Sequence, residues 1–173
     1  MSIEPTSEPL PAYVLPLGLS GELVLTPCPP AGAALARSMR ELCERGVSAV
    51  LSLLPDDEAK ALGVADEPEV AARCGLVFFS FPIDDRSVPS TPSTIVPLLE
   101  QLLDRLRNGE NIAVHCRAGI GRTGLVACCV LVWTGCSPVE ARDIAANARG
   151  LPVPETAEQC AFIEAVADLH ARG

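Results

Sequence analysis

The sequence predicts an α/β protein with one domain, in which a central, mostly parallel β-sheet carries helices on both faces. A length of 173 residues lies within the range of a single domain. Hydrophobic residues make up 49% of the chain, as in globular proteins with a sizeable core. Apolar runs of strand length alternate with segments of helical periodicity. This order predicts parallel strands joined by helical crossovers.

Each predicted strand is an apolar run bounded by glycine, proline or polar turn residues. These runs lie at 22–26, 47–54, 76–81 and 111–114. The predicted helices have apolar residues three or four positions apart, and Ser137-Pro138 is a typical helix start. They cover residues 33–45, 56–62, 67–74, 93–107, 122–133, 138–149 and 155–171. Residues 1–12, rich in proline and glutamate, predict a flexible tail before a single domain at 13–173.

The composition argues against several classes of function. A net charge of −9 and a pI of about 4.7 disfavour nucleic acid and anionic membrane surfaces as partners. No apolar stretch approaches the length of a membrane span, and no leader pattern opens the chain. We therefore expect a cytoplasmic protein, monomeric by default. The eight cysteines include no Cys-x-x-Cys pair, so we expect no disulfide framework, metal site or cofactor.

The most informative segment is residues 115–124, which read His-Cys-Arg-Ala-Gly-Ile-Gly-Arg-Thr-Gly. Cys116 stands where a predicted strand ends, and Arg122 stands where a predicted helix begins. The first turn of a helix has unpaired backbone N–H groups and the positive end of the helix dipole. Gly119 and Gly121 allow successive N–H groups to converge on one point. The segment therefore predicts a phosphate site in which Arg122 grips two oxygens.

Cys116 is the expected nucleophile of this site. The surrounding N–H groups and the Arg122 guanidinium favour a thiolate, so the pKa of the thiol should be lowered. Thr123 could then donate its hydroxyl to the sulfur as it leaves in a second step. The alternative, a glycine-rich turn with an incidental cysteine, leaves Arg122 and His115 unexplained. The N–H groups expected to hold phosphate oxygens belong to Arg117, Ala118, Gly119, Ile120, Gly121 and Arg122.

Residues 115–124 resemble the signature loop of the cysteine-dependent protein phosphatases, in which His-Cys is followed by five residues, Arg, and Ser or Thr. The chain is short and lacks the Lys-Asn-Arg-Tyr segment of tyrosine-specific domains, so it is more similar to the dual-specificity type. Within that type it is similar to the kinase-associated phosphatase (cyclin-dependent kinase inhibitor 3-like) group. The resemblance implies a protein tyrosine phosphatase-like fold. The segments that carry it lie at 81–85, 115–124, 137–141 and 149–159.

The resemblance also implies a general acid on the segment 82–89, which we call the acid loop. In the kinase-associated group this loop reads Pro-Ile-x-Asp, which selects Asp85, with Asp84 as the competitor. An aspartate on a loop bracketed by prolines can swing over the site and protonate the departing oxygen. The alternative is that both aspartates are ordinary turn residues beside Pro82.

Two more residues follow from the resemblance. In tyrosine-specific relatives, a Gln-Thr-x-x-Gln segment positions the hydrolytic water. Glu155 replaces the first glutamine here, so only Gln159 could keep that role, and the alternative is an ordinary polar position on the last helix. His115 is expected to hydrogen-bond within the loop and tune Cys116 rather than act as a base.

The expected activity is hydrolysis of a phosphomonoester through a phosphocysteine intermediate, without a metal. Ala118 and Ile120 occupy positions where loops specialised for inositol lipids tend to carry lysine, which favours a phosphoprotein substrate. The choice between phosphotyrosine and phosphoserine or phosphothreonine stays open. The alternatives are a module that binds phosphate without turnover, a phosphatase of a non-protein phosphomonoester, and a sulfurtransferase or arsenate reductase.

Overall fold

A computed structural model describes residues 8–173, and residues 1–7 lie outside it. Five strands form one sheet in the order β1-β2-β5-β3-β4. All neighbouring strands are parallel except β1, which pairs antiparallel with β2 at the sheet edge. The predicted fold class is confirmed. The strands are β1 (Tyr13–Leu15), β2 (Leu23–Thr26), β3 (Val47–Ser52), β4 (Val77–Ser80) and β5 (Asn111–His115).

Helices cover both faces of the sheet, and each face has its own core. The residues of α4, α5, α6 and α7 fill one face, and those of α1 and α3 fill the other. Helix α5 is buried along nearly its whole length, which explains why its sequence is apolar on every side. The helices are α1 (Ala33–Glu44), α2 (Asp56–Ala61), α3 (Glu67–Arg73), α4 (Pro92–Arg107), α5 (Gly121–Trp133), α6 (Pro138–Arg149) and α7 (Ala157–Arg172).

Three elements differ from the sequence prediction by more than one residue at an end. Strand β3 ends at Ser52 rather than at residue 54. Strand β1 was not predicted, because three residues are too few for a recognisable alternation. Helix α7 begins at Ala157 rather than at residue 155, because Thr156 is its N-cap and forms a capping box with Gln159.

The predicted tail at 1–12 falls partly outside the described residues. Within the described part, Leu10 is buried against the α1 face of the sheet. Its backbone N–H donates to the Glu41 carboxylate at 3.1 Å, so the packed chain includes Leu10. No helix among residues 8–173 combines the length and the apolar character that crossing a membrane requires.

The site lies where the fold brings the carboxyl ends of parallel strands together. Strand β5 pairs with β2 on one side and β3 on the other, so its last residues are at the centre of the sheet. Along it, Ile112 and Val114 face the α4–α7 core while Ala113 faces the α1 side. Continued alternation sends His115 toward the α1 side and Cys116 toward the opposite face. Clefts at the carboxyl edge of such sheets are common binding sites.

Candidate active site

The loop between β5 and α5, residues 116–120, is the floor of the site and is called the phosphate loop below. Gly119 has φ 69°, and a Cβ there would stand 2.5 Å from the Thr26 carbonyl oxygen, so only glycine fits. Gly121 does not have a positive φ. A Cβ at this position would overlap the carboxylate of Glu155, so a larger residue would displace the end of that side chain. The two predicted glycines thus serve different purposes.

The Cys116 side chain is buried at the base of this loop, with 3% exposure. Burial raises the pKa of the thiol, but the Thr123 hydroxyl and the backbone N–H groups of Thr123, Ile120 and Gly119 outweigh it and lower the pKa below its ordinary value. The Thr123 hydroxyl is buried and has no other hydrogen-bond partner among residues 8–173. It is therefore available to the Cys116 sulfur.

The Arg122 guanidinium lies 2% exposed beside Cys116 and is held by three groups. Glu58 of α2 accepts from both terminal nitrogens, at 2.7 and 2.8 Å. The Ile83 carbonyl accepts at 2.9 Å, and Asp85 Oδ1 accepts at 3.2 Å. This two-pronged pairing with Glu58 fixes the plane of the guanidinium. Sequence reasoning missed Glu58, because it lies 64 residues away on a short exposed helix that carries no motif.

The acid loop places Asp85, and not Asp84, against the pocket. The Asp85 side chain is 54% exposed and contacts Arg122. Residues 84–87 form a turn closed by the Ser87 N–H, which donates to the Asp84 carbonyl at 3.0 Å. Asp84 does not line the pocket that contains Cys116. The geometry therefore agrees with the choice of Asp85 as the candidate acid.

His115 makes the predicted bond within the loop and a second one outside it. Its Nδ1 lies 3.0 Å from the Cys116 carbonyl oxygen, and its Nε2 lies 2.8 Å from the Glu67 carboxylate. Both side chains are at most 2% exposed. Burial lowers the pKa of His115, but hydrogen bonds to Cys28 and Glu67 and the charge of Glu67 raise it to about 10. A protonated ring donates through both nitrogens, which suits a tuning role and not that of a base.

Gln159 is fully buried and committed to structure. Its Oε1 accepts from the backbone N–H groups of Glu155 and Thr156, at 3.0 and 3.2 Å. Its Nε2 donates to the Ser87 carbonyl at 3.2 Å, which ties the start of α7 to the acid loop. Gln159 does not line the Cys116 pocket, whereas Glu155 does. These contacts favour a positioning role for Gln159 over contact with water.

Arg149, the last residue of α6, braces the phosphate loop from outside. Its Nε donates to the Gly119 carbonyl at 2.9 Å, and a terminal nitrogen donates to the Ala118 carbonyl at 3.2 Å. The guanidinium stacks on the Tyr13 ring, 4.2 Å from the centroid. With the loop carbonyls held outward, the N–H groups are free to face the pocket. Sequence reasoning missed this residue because its partners are backbone atoms.

The pocket is small, with a volume of about 140 Å³, which suits a single phosphoryl group. It brings together the candidate acid Asp85, the candidate nucleophile Cys116 and the guanidinium of Arg122. Among residues 8–173, no three His, Cys, Asp or Glu side chains gather closely enough to hold a metal ion. The lining residues are Asp85, Arg86, Cys116, Arg117, Ala118, Gly121, Arg122 and Glu155.

Comparison with known proteins identifies the class. Residues 27–136 match the model of a family described as "Polymorphic toxin system, DSP-PTPase phosphatase", and the chain belongs to this family of dual-specificity-type phosphatases. The predicted membership of the cysteine-dependent phosphatases is thereby confirmed.

Individual relatives agree with this class. Human cyclin-dependent kinase inhibitor 3 is 26% identical over 134 residues, covering 76% of this chain and 63% of the relative. Protein tyrosine phosphatase domain-containing protein 1 of Danio rerio is 31% identical over 119 residues, which are 58% of this chain and 16% of that protein. The chain thus spans less than two thirds of either relative.

Solved structures show the same fold. A crystal structure of kinase associated phosphatase, with its catalytic-site cysteine replaced by serine, superimposes with a TM-score of 0.88 at 23% identity, covering 96% of this chain and 99% of the other. A structure of PTPMT1 in complex with PI(5)P superimposes with a TM-score of 0.73 at 18% identity, covering 87% and 92%.

Proposed function

We propose that this chain is a phosphoprotein phosphatase that works through a phosphocysteine intermediate. One observation carries the proposal: a buried cysteine with a lowered pKa, a guanidinium fixed in its plane and an exposed aspartate line one pocket of phosphoryl size. Each group matches one requirement of phosphoryl transfer, namely a nucleophile, a clamp for the equatorial oxygens and a proton donor.

In the first step, the Cys116 thiolate attacks phosphorus and an S–P bond forms. The bond from phosphorus to the substrate oxygen breaks, and Asp85 gives its proton to that oxygen. Arg122 and the N–H groups of the phosphate loop hold the equatorial oxygens while charge redistributes. The Asp85 carboxylate accepts a hydrogen bond from Arg122, so a bound substrate must either separate the two side chains or share the guanidinium with Asp85.

In the second step, water attacks the phosphocysteine and the S–P bond breaks. The electron pair returns to sulfur, where the otherwise unpartnered Thr123 hydroxyl can donate to the thiolate. Asp85 accepts the proton of the water. His115, held by Glu67, keeps a positive charge beneath the Cys116 carbonyl throughout.

A phosphoprotein is the proposed substrate because the loop interior is uncharged at Ala118 and Ile120 and the pocket admits one phosphoryl group. Phosphotyrosine is the first substrate to test, with phosphoserine and phosphothreonine beside it. The likeness to PTPMT1 is at 18% identity and concerns the fold alone, so it does not assign a lipid. A cytoplasmic location remains the default expectation, as does a monomer.

The test is hydrolysis of p-nitrophenyl phosphate and of a phosphotyrosyl peptide in EDTA, followed by acid quenching. We expect turnover without added metal and a mass increase of one phosphoryl group on the peptide that contains Cys116. Binding of phosphopeptide without phosphate release would favour the recognition module. Phosphate release that persists in Cys116→Ser would contradict the phosphocysteine route. Faster turnover of thiosulfate than of either phosphate ester would favour a sulfurtransferase.

A further inference from the structure

The side chains of two arginines that line the pocket are not used by the proposed reaction. Arg86 of the acid loop and Arg117 of the phosphate loop both line the pocket, and both side chains are exposed. Neither guanidinium makes an ion pair, a side-chain hydrogen bond or an aromatic contact within residues 8–173. Arg122, by contrast, is already occupied by Glu58 and Asp85.

The backbone at Arg86 shows that this position is conformationally costly for an arginine. Arg86 is the third residue of the turn at 84–87 and has φ 59°. It is the one non-glycine residue with a positive φ in the described part of the chain. Turns with a positive φ at this position favour glycine, since any side chain adds steric strain. A strained residue beside a site is a reason to look for a use of its side chain.

The charges around the pocket leave these two guanidiniums available to an anion. Two carboxylates also line the pocket, those of Asp85 and Glu155. Asp85 contacts Arg122, and Glu155 reaches the start of α5 at Gly121. The chain has a net charge of −9, so two unpaired arginines at one pocket give that pocket a local positive charge that the rest of the surface lacks on average.

We infer that Arg86 and Arg117 bind a second anionic group of the substrate, carried by the phosphopeptide within a residue or two of the phosphate that is hydrolysed. This inference rests on the proposed function. The pocket of about 140 Å³ takes the first phosphoryl group, and the exposed side chains of Arg86 and Arg117 line the same pocket, within reach of the residues that flank it in a peptide. The acidic chain is repelled by anionic bilayers, which favours a peptide over a lipid surface.

The second anion can be a phosphate or an acidic side chain, and matched peptides separate the two. One phosphotyrosyl sequence is made with neutral neighbours, with acidic neighbours and with a neighbouring phosphoserine. We expect kcat/KM to rise about fivefold from the neutral to the doubly phosphorylated peptide, mostly through KM, the upper end for one exposed ion pair. The acidic peptide should fall between them, and added salt should reduce the difference.

Three substitutions of Arg86 separate its charge from its backbone strain. Arg86→Gly and Arg86→Ala should both reduce the preference for the second anion, and only Arg86→Gly should also raise Tm, because it relieves the positive φ. Arg86→Lys should keep part of the preference. Arg40→Ala, at an exposed position of α1, removes the same charge elsewhere and should leave the ratio between peptides unchanged.

The inference is wrong if the wild type treats the three peptides alike, or if Arg86→Gly keeps the wild-type ratio. It is also wrong in its choice of partner if a soluble inositol bisphosphate surpasses every peptide and Arg86→Gly removes that advantage. If the wild type releases phosphate from p-nitrophenyl phosphate but from no phosphopeptide, the proposed phosphoprotein activity itself fails.

Discussion

The phosphate loop and the acid loop meet in one pocket but are built in opposite ways. The phosphate loop lies between the central strand β5 and the buried helix α5, and the side chains of Cys116 in the loop and Arg122 in the first turn of α5 are at most 3% exposed. The acid loop at 82–89 runs over the surface, and the Asp85 side chain is 54% exposed. Its main anchors are the buried Ile83, whose N–H donates to the Leu53 carbonyl at 3.0 Å, and the bond from Gln159 to Ser87.

This difference suggests a division of labour. Groups embedded in the core keep their geometry whatever substrate arrives, so they suit the binding of charge in the transition state. A group on an exposed loop can move to admit substrate and then donate a proton. Substitutions in the phosphate loop should therefore affect all substrates alike, whereas those in the acid loop should depend on the leaving group.

The largest effect is expected for Cys116→Ser. Serine is nearly isosteric, but a hydroxyl does not ionise in this field, so turnover should be abolished while Tm and binding of inorganic phosphate persist. The measurement is kcat with p-nitrophenyl phosphate and with a phosphopeptide. Activity within a few-fold of the wild type on either substrate would remove Cys116 as the nucleophile.

Arg122→Lys should be almost as severe, with kcat/KM reduced about 10²–10³-fold, the usual cost of losing a preorganised oxyanion contact. An ammonium keeps the charge but can neither grip two oxygens in one plane nor pair with both oxygens of Glu58. The loss should be similar for good and poor leaving groups. Near-normal kcat/KM would mean that Arg122 does not clamp the phosphate. A strong dependence on the leaving group would contradict the expectation that only substitutions in the acid loop show such a dependence.

Asp85→Asn tests the expectation that substitutions in the acid loop have effects that depend on the leaving group. It should lower kcat about 10²–10⁴-fold on alkyl or phenyl phosphates, the span for loss of a general acid, and much less where the leaving group needs no proton. Asp84→Asn is the matched control and should be nearly silent, since Asp84 does not line the pocket. Leaving groups of graded pKa decide between the two. A steep dependence for Asp84→Asn alone would move the acid by one residue.

The same contrast explains what the sequence could predict. The phosphate loop is contiguous, and the strand and helix that flank it have strong apolar patterns, so Cys116 and Arg122 were identifiable without a structure. The acid loop was located through a resemblance and a four-residue register. The register selects Asp85, which agrees with the position of this residue in the pocket, but its role as general acid stays a prediction.

Residues that act through tertiary contact left no local pattern. Glu58 and Glu67 each lie among other acidic residues in the first turn of a short helix, and only the fold brings these two to Arg122 and His115. Gln159 was matched to a motif position, yet its capping bonds bury it away from the pocket. A motif can indicate that a side chain matters without indicating what that side chain touches.

Glu67→Gln should affect stability and its pH dependence more than chemistry. Because the pKa of His115 is raised to about 10 from 6.5, the pair stabilises the fold in full below about pH 6.5, and this stabilisation is lost as the pH rises through about 10. Breaking a buried pair costs about 3–5 kcal/mol at neutral pH. The wild type should therefore lose Tm more steeply than the variant between these pH values.

The control for this prediction is Glu69→Gln, an exposed carboxylate on the same helix α3. Its Tm should follow the wild type at every pH. Parallel pH profiles for wild type and Glu67→Gln would show that His115 is not held in its protonated form by Glu67. The interaction would then support the phosphate loop by packing and not by charge.

The smallest expected effect is that of Arg149→Lys, which tests whether the phosphate loop is braced from outside. Lysine cannot reproduce the two bonds to the Gly119 and Ala118 carbonyls or the stacking on Tyr13, so the N–H groups should point less uniformly into the pocket. Loss of a partly exposed charged bond predicts a fall in kcat/KM of about 3–10-fold, equal for all leaving groups.

The pH at which Cys116 is alkylated should rise in Arg149→Lys, because the N–H groups of the phosphate loop lower the pKa of the Cys116 thiol. Arg142→Lys on the same helix, whose side chain contacts Glu164 at 3.7 Å and Cys160 of α7, should change neither quantity. If Arg149→Lys lowered Tm while the alkylation profile stayed fixed, the brace would stabilise the fold without orienting the loop, and the rigidity of the phosphate loop would come from β5 and α5 alone.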